Sequence, residues 1–459
     1  MDCKFQVAVL GAGPAGFSAA VRAAQLGFSV CIVEEEKMGG VCLNHGCIPT
    51  KFFARVAKNF ESIKSFKELG IDLEKLNFNF NSCRSKKHAV IAQLTKGMNF
   101  ILKKHGIEII YGRGRILDEN TLLVEGKKIE FDNCIIAVGS RPSESAEIGF
   151  DAASGVLSSR EILDMEAIPA SLLIIGGGVI GCEFAYIFNC LGVQVTVIEL
   201  MPQLLPAEDE ELSRALTLNF KKRGINVLTK TRVVRTENCG PNINKVILST
   251  GEEVEAEKIL LSIGRTSNSD RIDAEKIICI KQDKGKILVD EHMRTSVKNF
   301  YAAGDVTGKT FLAHVASREG IVAAENIAGI NRKMNYDVIP RCVYAEPQVA
   351  SVGINENQAK MKSIPVKIGK FPYSACGKAV LEGKTSGFIK LISDAKDGKI
   401  LGASIYGENA AELIAEICVA MKAGFTVDAL GEVIHAHPTF SEVVMEASES
   451  VNGRAINIL

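Results

Sequence analysis

The sequence has no excess of charge of either sign: Lys and Arg total 54, and Asp and Glu total 54. A neutral chain offers no electrostatic footprint for nucleic acid or an anionic membrane, so neither is expected as a partner. No apolar run approaches the roughly 18–20 residues that a membrane-spanning helix needs. The opening residues, Met1-Asp2-Cys3-Lys4-Phe5, show neither a charged segment leading into an apolar one nor an Arg-rich stretch, so a cytoplasmic protein is expected. There is no low-complexity or linker-like segment. The 13 cysteines are odd in number and scattered, unlike a secreted disulfide framework. No group of them has the spacing of a zinc site, and no metal is expected. Outside one pair, cysteines such as Cys31, Cys134 and Cys190 sit among apolar residues and read as buried thiols.

What is present begins with size. A chain of 459 residues, 47% hydrophobic and 24% charged, is a soluble globular protein too long for one core, so three or four domains are expected. Two segments resemble each other. In the first, the strand-like run 5–10 leads into Gly11-Ala12-Gly13-Pro14-Ala15-Gly16, an Ala-rich helical stretch, and a second strand ending at Glu34. In the second, the run 172–175 leads into Gly176-Gly177-Gly178-Val179-Ile180-Gly181, a helical stretch, and a strand ending at Glu199. In each, the acid lies 23 positions after the first glycine (34 − 11 and 199 − 176). Each is a strand–turn–helix–strand unit of the dinucleotide-binding kind. The first glycine permits the tight turn, the second admits a pyrophosphate to the backbone, and the helix N-terminus offers unpaired N–H groups. The acid accepts from the adenosine ribose. Glu199 suits a free 2′-hydroxyl and repels a 2′-phosphate, and no arginine follows it in Leu200-Met201-Pro202-Gln203, so NAD is expected rather than NADP.

Between the first unit and the next helix lies Gly39-Gly40-Val41-Cys42-Leu43-Asn44-His45-Gly46-Cys47-Ile48-Pro49-Thr50-Lys51. On a straight helix the two cysteine Cα atoms would stand roughly 8–9 Å apart, beyond the ~7 Å limit for a disulfide. A bond between them therefore requires a distorted backbone, and Gly46 is placed to allow it. Cys47 then sits near a helix N-terminus, where the dipole favours a thiolate. Near the other end stands His435-Ala436-His437-Pro438-Thr439-Phe440-Ser441-Glu442. Thiol–disulfide exchange needs a base near neutrality, and His437 with Glu442 as its orienting carboxylate fits that role. His435 reads as structural.

The cysteine segment and the histidine segment resemble those of the pyridine nucleotide–disulfide oxidoreductases, and are most similar to the dihydrolipoyl dehydrogenase (E3) branch. Val41 and His45 depart from the usual Thr and apolar residue there. Neither change removes a reacting group. His45 reads as a solvated loop histidine, with tuning of the thiols as the other reading. The resemblance implies an α/β fold of two Rossmann-like dinucleotide-binding domains plus a C-terminal α+β dimerisation domain. It divides the chain into 1–143 (FAD, redox disulfide), 144–268 (NAD), 269–337 (a central domain completing the FAD site) and 338–459 (interface). It implies a Cys42–Cys47 disulfide that exchanges with substrate through Cys42 and faces the flavin through Cys47. The flavin site takes in Gly11, Gly13, Pro14, Ala15, Gly16, Glu34, Lys51, Gly112, Val138, Gly139, Ser140, Gly304, Asp305, Phe311, Leu312, Ala313 and His314. Lys51 would lie near flavin N5, paired with Glu183. The NAD site takes in Gly176, Gly178, Val179, Ile180, Gly181, Glu199, Val233 and Gly264. The implied activity is oxidation of protein-bound dihydrolipoamide with reduction of NAD. The implied partners are a second copy of the chain, sharing its active sites, and a lipoylated acyltransferase (E2) or glycine-cleavage H protein. An NADH-dependent reductase of another disulfide, or of mercuric ion, is the alternative within the same family.

Overall fold

A computed structural model describes residues 3–458 apart from 73, 76, 146–147, 149–154, 241–242 and 275–277. The first glycine motif builds a sheet of strands β1 (Cys3–Leu10), β2 (Val30–Glu34), β3 (Glu108–Tyr111), β4 (Gly114–Ile116), β5 (Thr121–Val124) and β6 (Lys127–Ile136), in the order β3-β2-β1-β6-β5-β4. β1 runs parallel to both β2 and β6. The strand order therefore reverses on either side of β1, and a crevice opens at its carboxyl end. Helix α1 (Pro14–Gln25) crosses from β1 to β2. Its buried side chains are Ala15, Ala19, Ala20 and Ala23 together with Gly16. Such small residues let the later helix Ala313–Ile327 lie against its backbone: a Cβ on Gly320 would stand 2.1 Å from the Ala15 carbonyl oxygen. After β2 come α2 (Gly40–His45), α3 (Cys47–Lys64) and the long α4 (Phe80–Lys104).

β7 (Ser140–Pro142) leads out of this unit into a second parallel sheet. It contains β8 (Val156–Leu157), β9 (Ser171–Ile175), β10 (Gln194–Ile198), β11 (Asn226–Leu228) and, after the antiparallel β12 (Val233–Gly240), β13 (Ile243–Leu248) and β14 (Glu253–Ala256), β15 (Lys258–Leu261). The order β11-β10-β9-β15-β8 again places the glycine-bearing strand, β9, between two parallel neighbours. Its helix α5 (Val179–Cys190) is apolar nearly all round and buries Phe184, Tyr186, Ile187 and Phe188, as befits a helix covered on most sides. α6 (Glu210–Lys222) follows β10, opened by Asp209, whose side chain accepts from Glu211 N–H.

The chain then returns. β16 (Arg265–Ser267) pairs antiparallel with β7. Past the small pair β17 (Gln282–Asp283) and β18 (Lys286–Ile287), β19 (Phe300–Ala302) joins the first sheet beside β6. The remainder is an antiparallel sheet of β20 (Arg341–Val343), β21 (Gln348–Gly353), β22 (Val366–Pro372), β23 (Phe388–Asp394) and β24 (Ile400–Gly407), in the order β20-β21-β24-β23-β22. Helices Ala410–Ala423 and Glu442–Ser450 pack on it. Among the described residues no helix is long and apolar enough to cross a membrane. Cys31, Cys134, Cys182 and Cys376 are buried, as expected, but Cys190 is only half-buried. Cys239 and Cys279 are exposed, because they lie on β12 and in the segment before β17, where the chain runs over the surface.

Candidate active site

Gly11 and Gly16 form one close-packed turn. Gly11 has φ +102°, and a Cβ there would stand 2.4 Å from the Ala137 carbonyl oxygen. A Cβ on Gly16 would stand 1.8 Å from the Gly11 carbonyl oxygen. Gly13 differs: a Cβ there would meet nothing within 4 Å. It caps α1 with no side-chain hydrogen bond, so the helix N-terminus stays open to a ligand. Glu34 ends β2 and accepts from the N–H groups of Ala12 (2.8 Å) and Glu36 (2.9 Å). Burial pushes its carboxyl up.

The second motif repeats the arrangement. Gly176 (φ +108°) abuts the Ser262 carbonyl oxygen and Gly181 abuts Gly176. A Cβ on Gly178 would again meet nothing within 4 Å. Glu199 accepts from Gly177 N–H at 2.6 Å and Met201 N–H at 2.7 Å.

A cavity of about 400 Å³ starts at the first glycine turn and runs past the thiols. Of the residues expected around a flavin, Gly11, Gly13, Pro14, Ala15, Glu34, Gly112, Val138, Gly139, Ser140, Gly304, Asp305, Phe311 and Ala313 line it. Gly16, Lys51, Leu312 and His314 do not line it, and His314 instead bonds the Pro340 carbonyl oxygen (3.0 Å). Ile180, from the second motif, reaches the same cavity. The other expected NAD residues, from Gly176 to Gly264, remain outside it.

One lining residue, Arg265, is not among those expected at the site from the sequence. The Arg265 side chain donates from Nε to Ser140 Oγ (2.7 Å) and from Nη2 to the Ser140 carbonyl oxygen (2.8 Å), 3.8 Å from Asp305 Oδ2. Burial pushes Asp305 up, against the opposing effects of Ser140 and Arg265. The signal was present in the position of Arg265, directly after Gly264 and at the start of β16, which pairs with the strand carrying Ser140.

The break expected between the cysteines falls at Gly46, whose φ −146° and ψ −111° separate α2 from α3. Cys42 and Cys47 are free thiols hydrogen-bonded to each other. The bond from Cys42, and the nearby Lys51 ammonium, bring the Cys47 thiol down to about 7. The same bond, with burial, pushes Cys42 up. In the dithiol form the negative charge therefore rests on Cys47, at the N-terminus of α3. Lys51 lies one turn further along that helix and pairs with Glu183 at 2.8 Å.

His45 is not the solvated histidine the sequence suggested. Its side chain is 16% exposed, Nδ1 is buried without a partner, and Nε2 lies 3.6 Å from Glu36. The short α2 turns it inward, and burial, then Arg160, lower it. Asn44 Oδ1 beside it is also buried without a partner, and both residues line the cavity. A buried acceptor left over in this way suits a hydroxyl-bearing ligand.

The histidine segment leads into the helix Glu442–Ser450, which packs on the C-terminal antiparallel sheet. His437 Nδ1 meets Glu442 Oε1 at 2.8 Å, and Glu442 Oε2 accepts from Thr439 N–H at 2.9 Å. Burial would raise Glu442, but His437 and Thr439 outweigh it and hold the carboxyl down. The His437 side chain is 76% exposed, whereas that of His435 is 5% exposed, held between the Val433 carbonyl oxygen (2.8 Å) and Glu416 (2.6 Å).

Residues 5–320 match the family described as pyridine nucleotide-disulphide oxidoreductase, and residues 339–448 match its dimerisation domain. The chain belongs to this family. Its members include curated dihydrolipoyl dehydrogenases similar over their full length. That of Bacillus subtilis is 39% identical over 475 residues, covering 100% of both chains. That of Chlamydia pneumoniae is 38% identical, covering 98% of this chain and 97% of its own. Among solved structures, LpdA of Mycobacterium tuberculosis superposes with a TM-score of 0.91 at 25% identity, covering 97% of this chain and 99% of the other. The HOCl-induced flavoprotein disulfide reductase RclA of Escherichia coli reaches 0.88 at 26% identity, with the same coverage.

Proposed function

We propose that the chain is a dihydrolipoyl dehydrogenase, converting dihydrolipoamide and NAD⁺ to lipoamide, NADH and a proton. The observation that carries this reading is the Cys42–Cys47 pair at the wall of the cavity that starts at the first glycine turn, with Cys47 the sulfur brought down to about 7. The residues fit FAD: the open N-terminus of α1 beside Gly13 suits its pyrophosphate, Glu34 its adenosine ribose, and Ser140, Asp305 and Asn44 its remaining polar groups. The second motif suits NAD, with Glu199 on the ribose. The units 1–143, 144–268, 269–337 and 338–459 are then the FAD, NAD, central and interface domains. The family's dimerisation domain supports a homodimer in which each His437 serves the other copy's thiols.

The cycle begins with the two sulfurs joined. His437 takes the proton from one substrate thiol, and Glu442 fixes the ring and stabilises its charged form. The substrate thiolate attacks Cys42 Sγ, forming a mixed disulfide and releasing Cys47 as a thiolate. The second substrate thiol displaces Cys42, its proton passing to the departing Cys42 sulfur, and the substrate leaves as lipoamide, so the two cysteines now hold two electrons. Lys51 and the N-terminus of α3 keep Cys47 ionised for the next transfer. Bound FAD supplies the two-electron relay from sulfur to nicotinamide. The disulfide is then restored and NADH leaves. The lipoyl group arrives on an acyltransferase or an H protein, in the cytoplasm.

The test is steady-state kinetics of the flavin-loaded protein. NADH should form from dihydrolipoamide and NAD⁺ far faster than NADPH from NADP⁺. Faster turnover of another disulfide, or of Hg²⁺, than of lipoamide would replace the proposed substrate while keeping the thiol chemistry. The likeness to RclA makes that comparison necessary.

A further inference from the structure

The lysine that ionises Cys47 is held by more than its carboxylate. Cys47 and Lys51 are four residues apart on α3, so they share one helix face. Lys51 Nζ meets Glu183 Oε2 at 2.8 Å, and it also lies 4.8 Å from the ring centroid of Tyr344. Tyr344 N–H donates to the other oxygen of Glu183, Oε1, at 3.0 Å. One residue between β20 and β21 thus touches both members of the pair. The ring holds the ammonium and the main chain holds the carboxylate. The three segments come from different units: α3 follows the first glycine motif, α5 follows the second, and Tyr344 lies in the connection between two strands of the C-terminal antiparallel sheet. A lysine ammonium on a four-carbon stem is not fixed by a single ion pair, because three N–H directions and four torsions remain. A half-buried aromatic face restrains it further through cation–π attraction.

Resting on the proposed function above, we propose that Tyr344 is a positioning residue through which the interface unit sets the charge on the Cys47 sulfur, its ring fixing the Lys51 ammonium and its N–H fixing Glu183. The groups that face this cluster are Cys42, Lys51, Glu183 and Arg265 around Cys47, and Cys342 and Glu412 around Tyr344. None of them replaces the ring as the second restraint on Lys51. Burial alone would lower Lys51; Glu183, Cys47 and Tyr344 together leave it raised.

The test uses the flavin-loaded dimer with Tyr344→Leu, Tyr344→Met and Tyr344→Phe. All three keep the N–H on Glu183; only Phe keeps the ring. Two readouts are taken against pH. One is the long-wavelength thiolate–flavin absorbance after anaerobic addition of one equivalent of dihydrolipoamide. The other is the rate of iodoacetamide alkylation of Cys47 in a Cys42→Ser background. With Leu and with Met, both midpoints should move up by about half a unit, roughly a threefold fall in the thiolate-to-thiol ratio at fixed pH. Phe should titrate as the unsubstituted protein does. Leu and Met curves that coincide with it would overturn the proposal. A Phe curve displaced as far as Leu would also overturn it, since the hydroxyl would then be responsible. Absence of the long-wavelength band in the unsubstituted protein would fail the proposed function itself, and the Tyr344 proposal with it. If Leu loses flavin, Met and the alkylation rates still decide.

Discussion

The two glycine motifs share one backbone design and live in different surroundings. Around the first, the turn is walled in: the helix Ala313–Ile327 lies on α1, β19 joins the sheet, and Gly13 lines the cavity. Around the second, the corresponding surface is open, and Val179, Leu200, Met201 and Ile263 are exposed apolar residues beside the turn. Exposed apolar residues grouped near a polar turn mark a surface that something covers in use. On the proposed function, one nucleotide-binding design would serve two purposes: the enclosed motif would retain its ligand through the cycle, and the open one would let its ligand come and go. The distinction lies in what is packed around the motif, not in the motif.

The comparison can be broken at several points. Cys47→Ser should lower dihydrolipoamide oxidation by at least ~10³-fold, while leaving flavin content and the NAD face intact; stopped-flow and absorbance spectra check both. His437→Gln should cost about 10²–10⁴-fold, the usual worth of a general base, again without loss of flavin. The carboxylates then separate the two sites. Glu199→Gln should raise KM for NAD⁺ by roughly tenfold, the worth of a weakened charge-assisted hydrogen bond, with flavin retained. Glu34→Gln should instead release flavin on dialysis and leave KM for NAD⁺ unchanged in the fraction that stays yellow. Equal effects of the two changes would remove the distinction between resident and exchanging ligand. The thiol titration gives the gentlest handle. With Cys47 at about 7, the thiolate forms as pH rises through neutrality. The long-wavelength absorbance of the reduced protein should therefore halve near pH 7 on acidification and recover on return.

A separate measurement concerns how the third sheet is held to the second unit. Lys390 is 3% exposed and reaches Asp209, Glu211 and Glu356 at 2.9, 3.0 and 2.6 Å. Lys390→Met leaves buried Asp209 without its cation, which should cost about 3 kcal/mol, read as a lower denaturation midpoint.

Much of this was legible in the sequence because it rests on local rules. The repeated glycine spacing, the acid at each strand end and the break at Gly46 are consequences of backbone geometry over a few residues. The pairing of His437 with Glu442 spans five positions. The helix Ala410–Ala423 follows from the same kind of local rule, its Ala-rich, apolar-faced run. What was not legible depends on distant segments. His45 looked solvated because nothing in 39–51 reveals that Glu36 and Arg160 come down beside it, 9 and 115 positions away (45 − 36 and 160 − 45). Arg265 and Tyr344 were passed over because their importance comes from Ser140 and Lys51, brought close only by folding.

The antiparallel pairing of β7 with β16 ties the outgoing and returning crossings of the chain into one two-stranded ribbon. Two crossings side by side resist sliding and twisting of one half against the other far better than a single tether does. On the proposed function, this ribbon and the core that α3 shares with α5 would keep the nicotinamide-binding unit at one orientation to the flavin site, so that transfer always reaches the same side of the ring.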